Sequence, residues 1–266
     1  MARRTLVTFH AHPDDEAIAT GGVMAQAAAA GHRVVLVLAT KGELGEVDDG
    51  VLGDGEALAE RRTVEVAAAA EILGVERVAF LGYRDSGMAD DPRRHDDGSF
   101  ASADVEEAAG RLAVILREEH ADVLTVYDSN GNYGHPDHIQ VHHVGHRAGE
   151  LAGTAHVFEA TMNHDYIVAL MAETADQLPE GVERPDPEDM ELGVPESVIT
   201  TRVDVTEFVG AKRAAMAAHA SQIDENSFFL QMPPEMFSRA FGYEWFIHKG
   251  EPPGIHEAGL FESFAD

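Results

Sequence analysis

Apolar residues recur along this chain in two rhythms. Short unbroken runs at 5–9, 33–39, 77–81, 123–127 and 156–161 have the length of buried strands. Between them, 17–30, 57–73, 103–119 and 138–152 read as helices, and Gly31 and Gly74 close the first two. Strands made of apolar runs and separated by helices form parallel sheets covered by helices. The first 160 residues therefore predict an α/β fold, a Rossmann-like and mostly parallel sheet with helices on both faces. Open sheets of this kind bind ligands beyond the carboxyl ends of their strands.

Three stretches break the pattern and read as loops: 41–56, rich in Gly and acid; 82–102; and 176–197, rich in Pro and acid. The last divides a core at 1–175 from a smaller C-terminal part at 176–266. That part carries a short strand at 199–203, a helix at 205–219 and an aromatic tail through Trp245 and Phe246. It is expected to pack on the core within one structural domain.

Composition narrows the function. A chain of 266 residues can bury a sizeable core. The formal net charge is -29 and only Lys41, Lys212 and Lys249 are lysines, so a phosphate backbone is repelled and no nucleic-acid partner is expected. There is no cysteine, which removes disulfides, thiolate metal ligands and cysteine nucleophiles. No apolar run after Met1 resembles a signal peptide and none nears the ~20 residues of a membrane span, so no membrane partner is expected and the default location is the cytoplasm. No coiled coil or interface stripe specifies an oligomeric state, and a homo-oligomer stays open.

Chemistry gathers at two strand ends. Ala11-His12-Pro13-Asp14-Asp15-Glu16 follows the first run, and Gly134-His135-Pro136-Asp137-His138 follows the run at 123–127. Two imidazoles and one carboxylate make a three-ligand metal site with positions left open, and a second carboxylate beside the water can take its proton. Adjacent Asp14 and Asp15 should diverge, one joining the metal and the other facing water; the bland alternative is that they cap the next helix. Glu16 reads as helix-start electrostatics. His138 and His142 also form an i, i+4 pair able to bind metal, although His142 and His143 on a helix are more often structural. Asp137 or Asp128 are candidates to orient the ligating imidazoles.

These two motifs, with Tyr127-Asp128 and Tyr133, resemble the PIG-L/LmbE-like zinc de-N-acetylase family. Leu81-Gly82-Tyr83-Arg84-Asp85-Ser86-Gly87-Met88 resembles its actinobacterial branch, which includes the mycothiol-pathway deacetylase and the mycothiol-conjugate amidase. The resemblance covers 5–161 well and the remainder loosely. It implies that His12, Asp15 and His138 bind zinc, that Asp14 is the general base, and that His135 assists the oxyanion or the leaving group. It also implies that Tyr133 approaches the substrate carbonyl, the alternative being a loop aromatic. Arg62, in an Arg-x-x-Glu pattern with Glu65, would hold substrate hydroxyls or phosphate, or else form a solvated ion pair. Asp85 would accept hydrogen bonds from a sugar, or else serve as a turn residue. The expected reaction is removal of acetyl from an N-acetylglucosamine-type amino sugar or its conjugate; the alternative is cleavage of a thiol-conjugate amide. Ligand type does not separate zinc from iron(II).

Rival classes fare worse. The ligand set also describes a non-haem iron oxygenase, but those sites commonly occupy β-rich scaffolds. No Gly-x-Gly-x-x-Gly follows a strand, and neither a phosphate-binding Gly-Lys loop nor a Gly-x-Ser-x-Gly elbow is present.

Overall fold

The five apolar runs become five parallel strands, and the C-terminal part adds two more to the same sheet. The computed structural model describes residues 2–173 and 192–264, so the 176–191 portion of the expected acidic loop lies outside the described residues. In order, the elements are β1 (Thr5–His10), α1 (Asp15–Ala19), α2 (Gly21–Ala29), β2 (Arg33–Leu38), α3 (Leu58–Leu73), β3 (Arg77–Phe80), α4 (Val105–Glu118) and β4 (Val123–Tyr127). There follow α5 (Gly131–Gly134), α6 (Pro136–Ala152), β5 (His156–Thr161), α7 (His164–Glu173), β6 (Thr201–Asp204), α8 (Val209–Ala218), α9 (Phe228–Gln231), α10 (Pro234–Phe241) and β7 (Tyr243–His248).

The sheet order is β3-β2-β1-β4-β5-β7-β6. Neighbours from β3 through β5 are parallel, while β7 runs antiparallel to both β5 and β6. Every residue of β1 and β4 is buried, as a strand sandwiched between helix layers requires, whereas edge strand β6 alternates buried and exposed. Helices α2, α3 and α8 pack together, and α4 packs on α6. Helix α6 lies so close to β4 that a Cβ added at Gly145 would sit 2.2 Å from Val126 Cγ1. Among the described residues no helix is long and apolar enough to cross a membrane.

Two departures from the sequence expectation matter for function. The helix expected over 17–30 is broken at Thr20 into α1 and α2. Thr20 Oγ1 is 2.9 Å from His10 Nε2, and the buried amides of the new helix start, Gly22 and Val23, donate to Glu244 of β7 at 2.7 and 2.9 Å. Unpaired N–H groups at a helix start need such an acceptor, and a carboxylate also suits the dipole. Lys212 Nζ neutralises the same Glu244 at 2.6 Å, with both side chains buried. The second departure is β7 itself: the aromatic tail is a strand, inserted between β5 and β6.

Strand order reverses between β1 and β4, which are neighbours though far apart in sequence. A crevice forms at such a switch point. Both histidine motifs leave the sheet there.

Candidate active site

The chain leaves β1 through a tight turn that forces Asp14 to φ 118 and ψ -33. That is left-handed space for a non-glycine residue, costing about 1–3 kcal/mol, and it persists only where surroundings over-determine it. Here they do. The Asp14 amide donates to Glu16 Oε2 at 2.9 Å, and its carbonyl accepts from the Ala17 amide at 3.1 Å. Its carboxylate Oδ1 meets Arg62 Nη2 at 3.1 Å, while the same guanidinium donates to the Pro13 carbonyl and, at 2.7 Å, to that of Gly42. Burial, then the neighbouring Asp15 charge, outweighs the pull of Arg62 and raises the Asp14 pKa to about 6.

Asp15 faces the other way. Its Oδ2 is 3.3 Å from His12 Nδ1 and its Oδ1 is 3.3 Å from His138 Nε2, so one carboxylate touches two imidazoles. Burial opposes its ionisation, yet His138 and His12 hold its carboxyl well below the usual range. On the far side of the ring, His12 Nε2 lies 3.1 Å from Asp137 Oδ2 and 3.5 Å from Asp85 Oδ1. Asp137 is itself fixed by the Ser86 amide at 3.0 Å and the Ser86 hydroxyl at 2.5 Å. With Nε2–H committed to Asp137, the lone pair of a neutral His12 is on Nδ1, toward Asp15. Burial disfavours charge on His12, but Asp137, Asp15 and Asp85 together raise its pKa well above normal.

His138 supplies the test of whether these residues fit a cation. It is 2% exposed; its Nδ1 has no partner, and its Nε2 has the 3.3 Å contact with Asp15 but no aligned hydrogen bond. A buried polar group left so costs about 1–3 kcal/mol. A cation between His12, Asp15 and His138 would satisfy it, with oxygen and nitrogen donors of the kind zinc takes. Around His12, the sets in which one ligand atom per residue falls within 4.8 Å of the others are His12 with His135 and His138, and His12 with Asp85 and Asp137; Asp15 instead splits its two oxygens between His12 and His138.

The second motif starts at the end of β4. Asp128 accepts the amides of Asn130 and Asn132 at 3.0 and 2.9 Å, and Gly131, at φ 61, passes where a Cβ would strike His138 Cβ at 2.6 Å. Pro136 opens α6 and His135 is its N-cap, its Nδ1 accepting the Asp137 amide at 3.1 Å. The proton of the neutral ring is therefore on Nε2, which can only donate. Burial, reinforced by His12 and His138, lowers the His135 pKa to about 4 and keeps that ring neutral. Tyr133 stands half-exposed at the rim, its ring 4.9 Å from that of His138. Burial and the Asp15 charge raise its phenol pKa, so it stays a donor.

All five residues expected at the centre, His12, Asp14, Asp15, His135 and His138, converge, with Tyr133 at their edge. Arg62 and Asp85 do not present themselves to solvent. Arg62 is buried behind Asp14, which corrects the expectation of a solvated ion pair, and Glu65 turns instead to Ser221 at 2.6 and 2.9 Å. Asp85 is buried with its oxygens on the amides of Gly87 and Leu44, at 2.9 and 3.0 Å, as well as facing His12. Of the two candidates to orient an imidazole, Asp137 does so for His12 while Asp128 is spent on its own loop and Thr161. His142 does not join His138 but turns toward His146 and Glu159.

Two residues escaped sequence reasoning. Glu16 does serve the helix start through Oε2, but its Oε1 meets His219 Nε2 at 2.6 Å, both side chains fully buried. No spacing signal links residues 203 positions apart. Tyr127 stacks on His138 at 4.5 Å and 24°, with its hydroxyl 2.7 Å from His10 Nδ1.

Comparison with known proteins identifies the family. Residues 7–148 match the model of the PIG-L family, described as GlcNAc-PI de-N-acetylase. The 1D-myo-inositol 2-acetamido-2-deoxy-alpha-D-glucopyranoside deacetylase of Streptomyces avermitilis is 39% identical over 290 residues, covering 98% of each chain. The protein of the same name from Thermobifida fusca is 38% identical, covering 98% of this chain and 100% of its own. Among solved structures, the N,N'-diacetylchitobiose deacetylase of Pyrococcus horikoshii superposes with a TM-score of 0.59 at 23% identity, covering 92% of this chain and 83% of that one, a likeness of fold. On the family match and on relatives that share nearly its whole length, the chain belongs to the PIG-L family of de-N-acetylases.

Proposed function

We propose that this protein removes the acetyl group from an N-acetylglucosaminyl compound, using a divalent cation, zinc in the first instance, held by His12, Asp15 and His138. It is an N-deacetylase hydrolase acting on an amide. The substrate named for its relatives, an N-acetylglucosaminyl inositol, is the first to try. One observation supports the centre above the others: buried His138, with no hydrogen-bond partner, beside a carboxylate that also touches His12.

When bound, the cation lowers the pKa of water and polarises the amide carbonyl. Asp14 accepts the proton of the attacking water, a role suited to a carboxylate whose pKa is tuned upward toward the operating pH. Neutral His135 donates from Nε2 to the oxygen that gains charge, and losing one such donor typically costs about 2.7–4 kcal/mol of barrier. A neutral imidazole acting as an acid would be left as an anion, so protonated Asp14 returns the proton to the departing amine. Tyr133 adds a phenolic donor at the rim. Arg62 and Asp85 act from behind, Arg62 by fixing Asp14 and Asp85 by fixing the 41–45 segment and His12.

This role for Arg62 has a signed consequence. Its charge lowers the Asp14 pKa, so Arg62→Met should raise it, and the acid limb of kcat/KM should move to higher pH. Arg62→Lys should move it back part of the way. A limb in the same position in all three proteins would remove Arg62 from the mechanism.

The function is tested with zinc-loaded protein under anaerobic conditions, following free amine and acetate. The panel is an N-acetylglucosaminyl inositol, free N-acetylglucosamine, N,N'-diacetylchitobiose and a thiol-conjugate amide. Acetate from the inositol glycoside, with kcat/KM at least tenfold above the other sugars, is expected. Cleavage of the conjugate alone would make the protein an amidase, and a need for oxygen would make it an oxygenase.

A further inference from the structure

Helix α6 carries histidines at 138, 142 and 146, four residues apart and therefore stacked along one stripe. The first belongs to the centre described above. The other two meet Glu159 of the adjoining strand β5. His146 Nε2 is 2.7 Å from Glu159 Oε1, His142 Nδ1 is 3.9 Å from the same oxygen, and the two rings lie 4.5 Å apart at 67°. One ligand atom from each of the three residues falls within 4.8 Å of the others. All three side chains are mostly buried yet reachable, at 16–17% exposure.

The tautomer of His142 leaves one ring nitrogen free to serve as a ligand. Its Nδ1 is 3.0 Å from the Tyr127 carbonyl, an oxygen that can only accept, so the proton sits on Nδ1 and the lone pair on Nε2. A backbone carbonyl bonded to the far nitrogen is the usual way in which a metal-binding imidazole is oriented. We propose that His142, His146 and Glu159 form a second divalent-cation site, of the nitrogen-and-oxygen kind that zinc occupies, with a position left for water. Occupancy needs the His146–Glu159 contact to open from 2.7 Å to about 3.3 Å, the separation of tetrahedral ligands around zinc, and the His142 ring to bring Nε2 to the ion, since Nδ1 now lies nearest Glu159 at 3.9 Å. The ion would tie α6 to β5. Tyr127 joins the two sites, since its carbonyl holds His142 and its ring stacks on His138.

The test uses the full-length, tag-free chain, stripped by chelator and titrated with zinc against a chromophoric competitor; the absence of cysteine removes thiolate background. Wild type should take up two equivalents, His146→Gln and Glu159→Gln one each, and His12→Ala one, which His12→Ala/His146→Gln then loses. The melting temperature of His12→Ala should rise with zinc, and that of the double variant should not. One equivalent in wild type that His12→Ala abolishes, or equal uptake by wild type and folded His146→Gln, overturns the site and leaves a plain His146–Glu159 ion pair. Should His146→Gln not fold, wild type saturated with cadmium-113 decides alone: two resonances support the site and one overturns it.

Discussion

Asp14→Asn should bind its cation as well as the parent protein does and turn over substrate about 10²–10⁴-fold more slowly, the range that general-base catalysis supplies. Asparagine has nearly the shape of aspartate and tolerates positive φ, so the strained turn at φ 118 should survive the change. The cation ligands proposed here, His12, Asp15 and His138, are untouched by it. What disappears is the acceptor for the water's proton, along with the ion pair to Arg62. The measurement pairs kcat with elemental analysis of the same preparation. Near-full activity would move the base elsewhere; loss of metal together with activity would make Asp14 a ligand.

His138→Ala should be comparably damaging, by a different route. It removes a side chain that makes no hydrogen bond in the folded protein, so the backbone network of α6 has nothing to lose. Its 3.3 Å contact with Asp15 goes, together with its packing against Tyr127, Tyr133, His12 and His135. Stability should therefore fall by a core-truncation amount, a few kcal/mol at most, while one equivalent of cation and the electrostatic work it performs are lost. Several kcal/mol of barrier corresponds to a rate loss on the order of 10³-fold. Chelation of the parent protein should reproduce that loss, and zinc should reverse it. Full metal occupancy in the variant, or activity that outlasts complete demetallation, would end the assignment.

The sheet was legible because its evidence is local. Strands β1, β2 and β4 are buried along almost their whole length, so their apolar runs show in the one-dimensional pattern to within a residue or two. The two histidine motifs were legible for a similar reason, since each sits at a strand end. What escaped depends on partners far along the chain. Nothing near Thr20 announces that Glu244 will cap a helix restarting at Gly21. Tyr243–His248 shows no clean alternation because β7 is a nearly buried strand between β5 and β6, with aromatic residues along it. Arg62 and Asp85 look in sequence like groups that could greet a sugar. Only folding reveals that their polar atoms point inward.

The last quarter of the chain also bears on where this enzyme can be cut or swapped. His219 answers the buried charge of Glu16, and Glu244 closes the helix start immediately behind it. A fragment trimmed to the family-matched region, residues 7–148, would strip Glu16 of its partner His219 and leave α2 with bare amides. The turn at Asp14 is thus braced by the tail, and chimeras that exchange the tail should carry Glu16, His219, Lys212 and Glu244 together.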